Sequence, residues 1–468
     1  MSKLYIFAIG GTGSRVLRSL TMMMAAGVRM GTDEIAPIII DPDASNADLT
    51  RTVQLMNNYK KVRSCLNFDE NTSTRFFRTD LSQVVPNYIV HIEDTDDKTF
   101  NKFIDLSSMD RPTKAMIHML FSEKNLQSSM NVGFKGNPNI GSVVLNQIVA
   151  SPDFDKFANN FKAGDKIFII SSIFGGTGAS GFPLLLKTLR TNNTMPNFNL
   201  INNAEIGAIT VLPYFKVAQD SDSEIDSSTF ISKTKSALAY YEKNISRNNS
   251  INALYYLGDD ASITYDNNEG GSTQKNAAHL IEFLAATAVI DFSNKLHEMP
   301  NGTVNKELGL NFENNGDVTF NSFYDDQQRL LFAPLTEFIM MANCLTYKEN
   351  YYRSNSFDAN NKCFNGLYDS QFFSYLRELC NDYRLWLGEL KDNKRSLNLF
   401  NLTDTNKPFE IVTGRKPKKV VSLKSDYDLI TDRLNSSLKK CYSNKDEDKF
   451  LEMFYIGLER LLKEKFNA

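Results

Sequence analysis

Short, almost continuously apolar runs recur through the first half of the chain, and stretches with helical spacing separate them. LYIFAI (4–9) runs towards RVLRSLTMMMAAG, KIFIISSIF (166–174) towards FPLLLKTLR, and EIGAITVLPYF (205–215) towards a long helix through SALAYYEK; APIIID (36–41) precedes a polar loop and NALYYLGDD (252–260) follows later. Strands apolar at every position suit a sheet covered on both faces, and strands spaced by helices pair in parallel. The pattern therefore predicts an α/β fold, a mostly parallel sheet with helices on both faces, spanning residues 1–275. From Asn276 the text turns strongly helical, which predicts a long central helix over 276–298. The rhythm then changes, and a smaller second α+β domain is expected: residues 299–408 largely helical, then 409–468 with PFEIV and KVVSL as a hairpin around TGRKPKK and a final helix near 444–465.

Composition narrows the class. With 468 residues, 42% hydrophobic and 23% charged, the chain can bury a sizeable core. A net charge of -3, from 52 basic and 55 acidic residues, gives no broad field for nucleic acid or an anionic membrane. Five cysteines without CxxC spacing point to reduced thiols and a cytoplasmic setting. Four histidines, His91, His118, His279 and His297, show no zinc-binding spacing, and His279 with Glu282 reads as a helix-surface pair. The start, MSKLYIFAIGGTG, reads as a buried strand rather than a signal peptide. HLIEFLAATAVIDF, interrupted by Glu282 and Asp291, falls short of a membrane span, and none is expected. The GRKPKK turn (414–419) could dock an acidic partner or nucleic acid, but a basic hairpin tip is more often a solvated edge that resists strand pairing.

Candidate chemistry begins at AIGGTGSRVL, where a strand runs straight into Gly10, Gly11, Thr12, Gly13 and Ser14 and then a helix. Such a turn sets backbone N–H groups and a helix N-terminus where an anion can sit. Alone it equally fits a dinucleotide fold or a tight connection. KIFIISSIFGGTGASGFPLL repeats the device with Gly175, Gly176, Thr177, Gly178 and Ala179. A dinucleotide domain needs only one of these turns, and a Walker NTPase needs a GK[ST] sequence that is missing.

Two such loops in this order resemble the tubulin/FtsZ family, in which the first faces the α/β-phosphates and the second forms a GGGTG[ST]G signature. Here Phe174 stands for the first glycine of that signature and Ser180 for the last. NVGFKGNPNIGSVVLNQI (131–148) is similar to the family's loop near the γ-phosphate, which implies roles for Gly133, Lys135, Gly136 and Asn137. ITVLPYF resembles the strand whose following loop meets the ribose, with Asp220 and Asp222 nearby; a solvated acidic loop fits as well. Asp41 and Asp43 follow the second strand, where the family reaches the nucleotide and its Mg²⁺, although a strand-terminating turn fits equally. Asn276 stands where the family reads the guanine edge, with a helix N-cap as the alternative. The resemblance covers about residues 1–290. It implies GTP or GDP with Mg²⁺, possible head-to-tail association into filaments, and a protein partner of unknown identity. Hydrolysis in this family needs an acidic loop from the neighbouring subunit; ELGLNFENNGD (307–317) is the nearest candidate, with Glu313 and Asp317 as its catalytic groups, further from Asn276 than the family spacing. Two other readings stand beside this one: a dinucleotide-dependent oxidoreductase using Asp41 for the ribose, and an interaction module on the same fold that takes no nucleotide.

Overall fold

The computed structural model describes residues 2–43, 45–69, 71–93, 95, 97–130, 133–134, 136–218, 230–259, 263–265, 271–273, 275–295, 306–310, 317–354, 364, 366–403, 406–418 and 424–466. Seven strands form one sheet: β1 (Lys3–Ile9), β2 (Glu34–Ile40), β3 (Asp80–Leu81), β4 (Lys166–Ser172), β5 (Ile206–Val211), β6 (Ala253–Leu257) and β7 (Lys306–Leu310). They lie in the order β3-β2-β1-β4-β5-β6-β7, and every pair is parallel. The chain winds outward from β1 to one edge, then returns to β4 and winds to the other. Such a reversal opens a crevice at the carboxyl ends of the two central strands.

The uninterrupted apolar runs are explained by cover on both sides. Tyr5 and Phe7 of β1 pack their rings on Phe154 and Phe157 of the helix Pro152–Asn160. Phe168 of β4, in register with Ile6, packs on Phe292 from the opposite face. Around the sheet stand α1 (Gly10–Ala25), α2 (Ala47–Ser64), α3 (Gly176–Thr191) and α4 (Leu280–Asn294), so the expected α/β architecture is present. The central helix is shorter than the 276–298 read from the sequence, because its N-cap is His279 and not Asn276.

The second half is a helical layer built onto the first: α5 (Asp325–Tyr347), α6 (Gln371–Asp392), α7 (Asp426–Leu438) and α8 (Asp446–Phe466). β7 pairs with β6, so the sheet continues past the boundary expected at 299. α6 packs against α2 and α5, and Trp386 Nε1 donates to Ser19 Oγ of α1 at 3.3 Å. The hairpin expected from PFEIV is replaced by turns, with Val412 bridging Phe400 antiparallel; residues 419–423 of KVVSL lie outside the described residues. α5 is long and apolar enough to cross a membrane by length and composition, but 78% of its apolar window is buried. Its apolarity serves the core, with Phe338 packed on Phe76, Phe77 and Tyr383.

Candidate functional site

α1 and α3 both begin inside glycine loops, at the carboxyl ends of β1 and β4. Their N-caps, Ile9 and Gly175, supply no capping side chain, so no side chain claims the first-turn N–H groups there. Gly10 adopts φ +70°, and a Cβ placed on it would lie 3.4 Å from Thr177 Cβ and 3.9 Å from the Gly178 amide. The two loops therefore abut. A third loop closes on them: a Cβ on Gly176 would meet Phe134 Cβ at 2.9 Å and the Asn137 amide at 3.0 Å, while Gly133 and Gly136 both turn at φ +74°. All three open on one cleft of about 260 Å³, part of it exposed to solvent.

Of the residues singled out in the sequence, Gly10, Gly11, Thr12, Gly136, Gly175, Gly176, Thr177, Gly178 and Asn276 line this cleft. Gly13 and Ser14 are buried in the first turn of α1, where Ser14 Oγ donates to the Gly10 carbonyl at 3.4 Å. The Ala179 amide donates to the Gly175 carbonyl at 3.1 Å, and Asn137 precedes the helix Pro138–Leu145. Lys135, Asp220, Asp222 and Glu313 lie outside the described residues. Asp317 is exposed, beside the bridge from Val318 to Leu397, and does not line the cleft.

Asp41 and Asp43 are buried but do not line the cleft either. Asp43 accepts from Ser45 Oγ at 2.9 Å and from the Gly271 amide at 2.7 Å, while its own amide donates to Asp41 Oδ1 at 3.1 Å. Burial first, and then the Asp43 charge, push the Asp41 carboxyl up to about 7. This is the geometry of a strand-terminating turn, and it does not fit the metal role expected of the pair. Among the described residues no group of three or more His, Cys, Asp or Glu is placed to hold a metal ion. Asn276 is in the cleft, but its amide and Nδ2 donate to Asp48 at 3.0 and 2.7 Å, and its carbonyl accepts from Arg51 at 2.5 Å. One hydrogen of the side-chain amide expected to read a base edge is thus held by Asp48 of α2.

Several cleft residues escaped the sequence reading. Arg15, inside the first glycine turn's helix, is buried; it binds Glu282 through Nε, Asp48 at 3.4 Å and the Tyr214 hydroxyl at 3.4 Å. An arginine two residues after GGTG, on a helix packed inward on most of its positions, was the available signal. Phe174, Tyr214, Phe215, Phe230 and Tyr265 form an aromatic lobe of the same cleft. Asn393, at the end of α6, donates to the Ala278 carbonyl at 3.0 Å, and Glu389 accepts the Ala278 amide at 2.9 Å. The helical layer thus grips the cleft-lining segment by both sides of one residue.

His279 is not the surface residue expected. Its ring is 4% exposed and lies 4.7 Å from the Tyr214 ring, centroid to centroid. Nδ1 accepts the Ile281 amide at 3.0 Å and Glu282 accepts the His279 amide at 3.1 Å, which makes a capping box for α4. Burial first, then Arg15 and Arg395, push the imidazole down from 6.5 to about 3. The unfolded chain thus takes up a proton near pH 6.5 that the folded chain refuses, so this stability is present above that pH and is lost as pH falls towards 3. Between pH 7.5 and 5 the wild type is expected to lose about 2 kcal/mol more than a His279→Asn variant, read from denaturant midpoints. Parallel pH profiles would refute this.

The fold and cleft define a class: a doubly wound parallel α/β protein with two glycine loops, each opening a helix, that meet at the switch point of its sheet. No protein-family model matches the chain, and no curated protein matches it. Among solved structures, CetZ from Methanosaeta thermophila strain DSM 6194 is similar at 15% identity with a TM-score of 0.27; the match covers 55% of this chain and 46% of that one, less than half its length.

Proposed function

We propose that this chain is a tubulin-like protein that binds a guanine nucleotide in the cleft between its two glycine loops. The observation that supports it most is the contact of Gly10 with Thr177, which brings two uncapped helix N-termini to one place. A triphosphate carries more negative charge than one such cradle neutralises, and two converging sets of amides suit it. The aromatic lobe beyond them has the character of a base pocket. Mg²⁺ enters with the phosphates in this reading, keeping several waters, and no step is assigned to Asp41 or Asp43. Binding is the core of the proposal. Hydrolysis would follow from head-to-tail association, in which an acidic group such as exposed Asp317 reaches the cleft of a neighbouring copy; a heterologous contact that does not close yields filaments. The free thiols of Cys65, Cys344, Cys380 and Cys441 support a cytoplasmic setting.

The test is a thermal melt with Mg²⁺ and each of GTP, GDP, ATP and NAD. A ligand at about a hundred times its Kd adds about 2.7 kcal/mol of stability, a readily measured shift. GTP and GDP are expected to raise the melting temperature and ATP and NAD to leave it unchanged, with Gly176→Ala abolishing the response. Equal shifts from all four remove the guanine assignment, and a shift with NAD alone favours the oxidoreductase. Phosphate release and electron microscopy on the same preparation then separate binding from hydrolysis and assembly.

A further inference from the structure

Among the described residues lining the cleft, one side-chain atom is buried without a hydrogen-bond partner: Nε2 of His279. Its protonation follows from the other nitrogen. Nδ1 accepts the Ile281 amide, so it carries no hydrogen, and the neutral ring must bear its proton on Nε2. A buried N–H with nothing to donate to is costly, and in a binding cleft its natural partner belongs to the ligand. The neighbouring polar groups each have a partner: Asn276 Nδ2 donates to Asp48, Asn393 Nδ2 to the Ala278 carbonyl, the Tyr265 hydroxyl to Asn393 at 2.6 Å, and Arg15 to Glu282 and Asp48. The ring also sits against Tyr214 and Tyr265 at the aromatic end of the cleft, where a flat heterocycle would stack.

We infer that His279 selects the base, its Nε2–H donating to the 6-oxo group of a purine. The inference rests on the nucleotide reading above and names the chemistry of its base subsite. Guanine and hypoxanthine offer an acceptor at that position. Adenine offers an amino group, and two facing donors repel.

The experiment measures dissociation constants of the full chain for GDP, IDP and ADP by calorimetry. The wild type is expected to bind GDP and IDP alike and ADP at least roughly tenfold more weakly, the usual consequence of leaving a buried donor unpaired. His279→Asn keeps an oxygen where Nδ1 caps the helix but has no distant donor, so the gap between GDP and ADP should close to within about threefold. His279→Gln carries its amide nitrogen near the Nε2 position and should keep the preference while melting earlier for want of the cap. Ligand-free melts of each variant report folding separately. A folded His279→Asn with the full GDP preference overturns the role of His279, and so does a wild type that prefers GDP over IDP and ADP equally, since the 2-amino group would then be what is read. Failure of all three to bind removes the nucleotide reading itself, and this inference with it.

Discussion

Replacing Arg15 by Met is expected to destabilise the folded chain by about 3–5 kcal/mol, the usual consequence of stranding a buried charge. Glu282 is 3% exposed and Asp48 1% exposed, and both face the Arg15 guanidinium. Asp48 keeps Arg51 at 3.0 Å and the two donors of Asn276, so the loss falls mainly on Glu282. Burial already pushes the Glu282 carboxyl up, against the pull of Arg15. Without the arginine it neutralises more readily, and the deficit of Arg15→Met should shrink between pH 7.5 and pH 5. Removing both charges, in Arg15→Met with Glu282→Leu, should restore a large part of the loss, because apolar groups of similar volume replace a buried pair at little cost. Urea midpoints of the two single variants and the double variant decide it. Simple additivity of the single effects would show that the pair is not coupled.

The parts of this molecule visible in its sequence are those whose physics is local. Continuous apolar runs identified β1, β2, β4, β5 and β6, because a strand covered on both faces has no position left for polar residues. The glycine loops were visible for the same reason: Gly10 and Gly176 stand where a side chain would meet the opposite loop. What the sequence hid depends on residues far apart in the chain. β7 was read as part of an acidic loop in a second domain because a short edge strand among polar residues carries little pattern. Asn276 matched a position in a family order and lines the cleft, but nothing near it announced the bonds of its amide and Nδ2 to Asp48, 228 residues earlier. His279 looked like half of a helix-surface pair because Glu282 lies three residues on; the same spacing makes the buried capping box. Asn393 reaches the cleft from α6 and Glu389 holds the Ala278 amide beside it, and no local pattern announces a contact made across more than a hundred residues.

The second large effect is expected at the last glycine of each loop, where the helix leaves the sheet. A Cβ on Gly178 would lie 2.4 Å from the Ser172 carbonyl oxygen, and one on Gly13 would lie 2.6 Å from the Ala8 carbonyl carbon. Both obstacles are backbone of the strand just completed, so neither can swing aside. Adding one methyl must push α1 off β1 or α3 off β4, and overpacking a rigid interior costs about 1–3 kcal/mol, with these cases at or beyond the upper end. Gly13→Ala and Gly178→Ala should each melt well below the wild type with no ligand present. Gly388 is the control of opposite sign: it lies in α6 with nothing within 4 Å of its Cβ position, so Gly388→Ala should raise stability by about 0.5–1 kcal/mol through helix propensity alone. Gly176→Ala differs from all three, since a Cβ there meets the loop of Phe134 and Asn137 instead of a strand, and its main effect should be on ligand response. If Gly178→Ala melted with the wild type, α3 would not be seated on the backbone of β4, and the geometry that brings the second cradle against the first would be wrong.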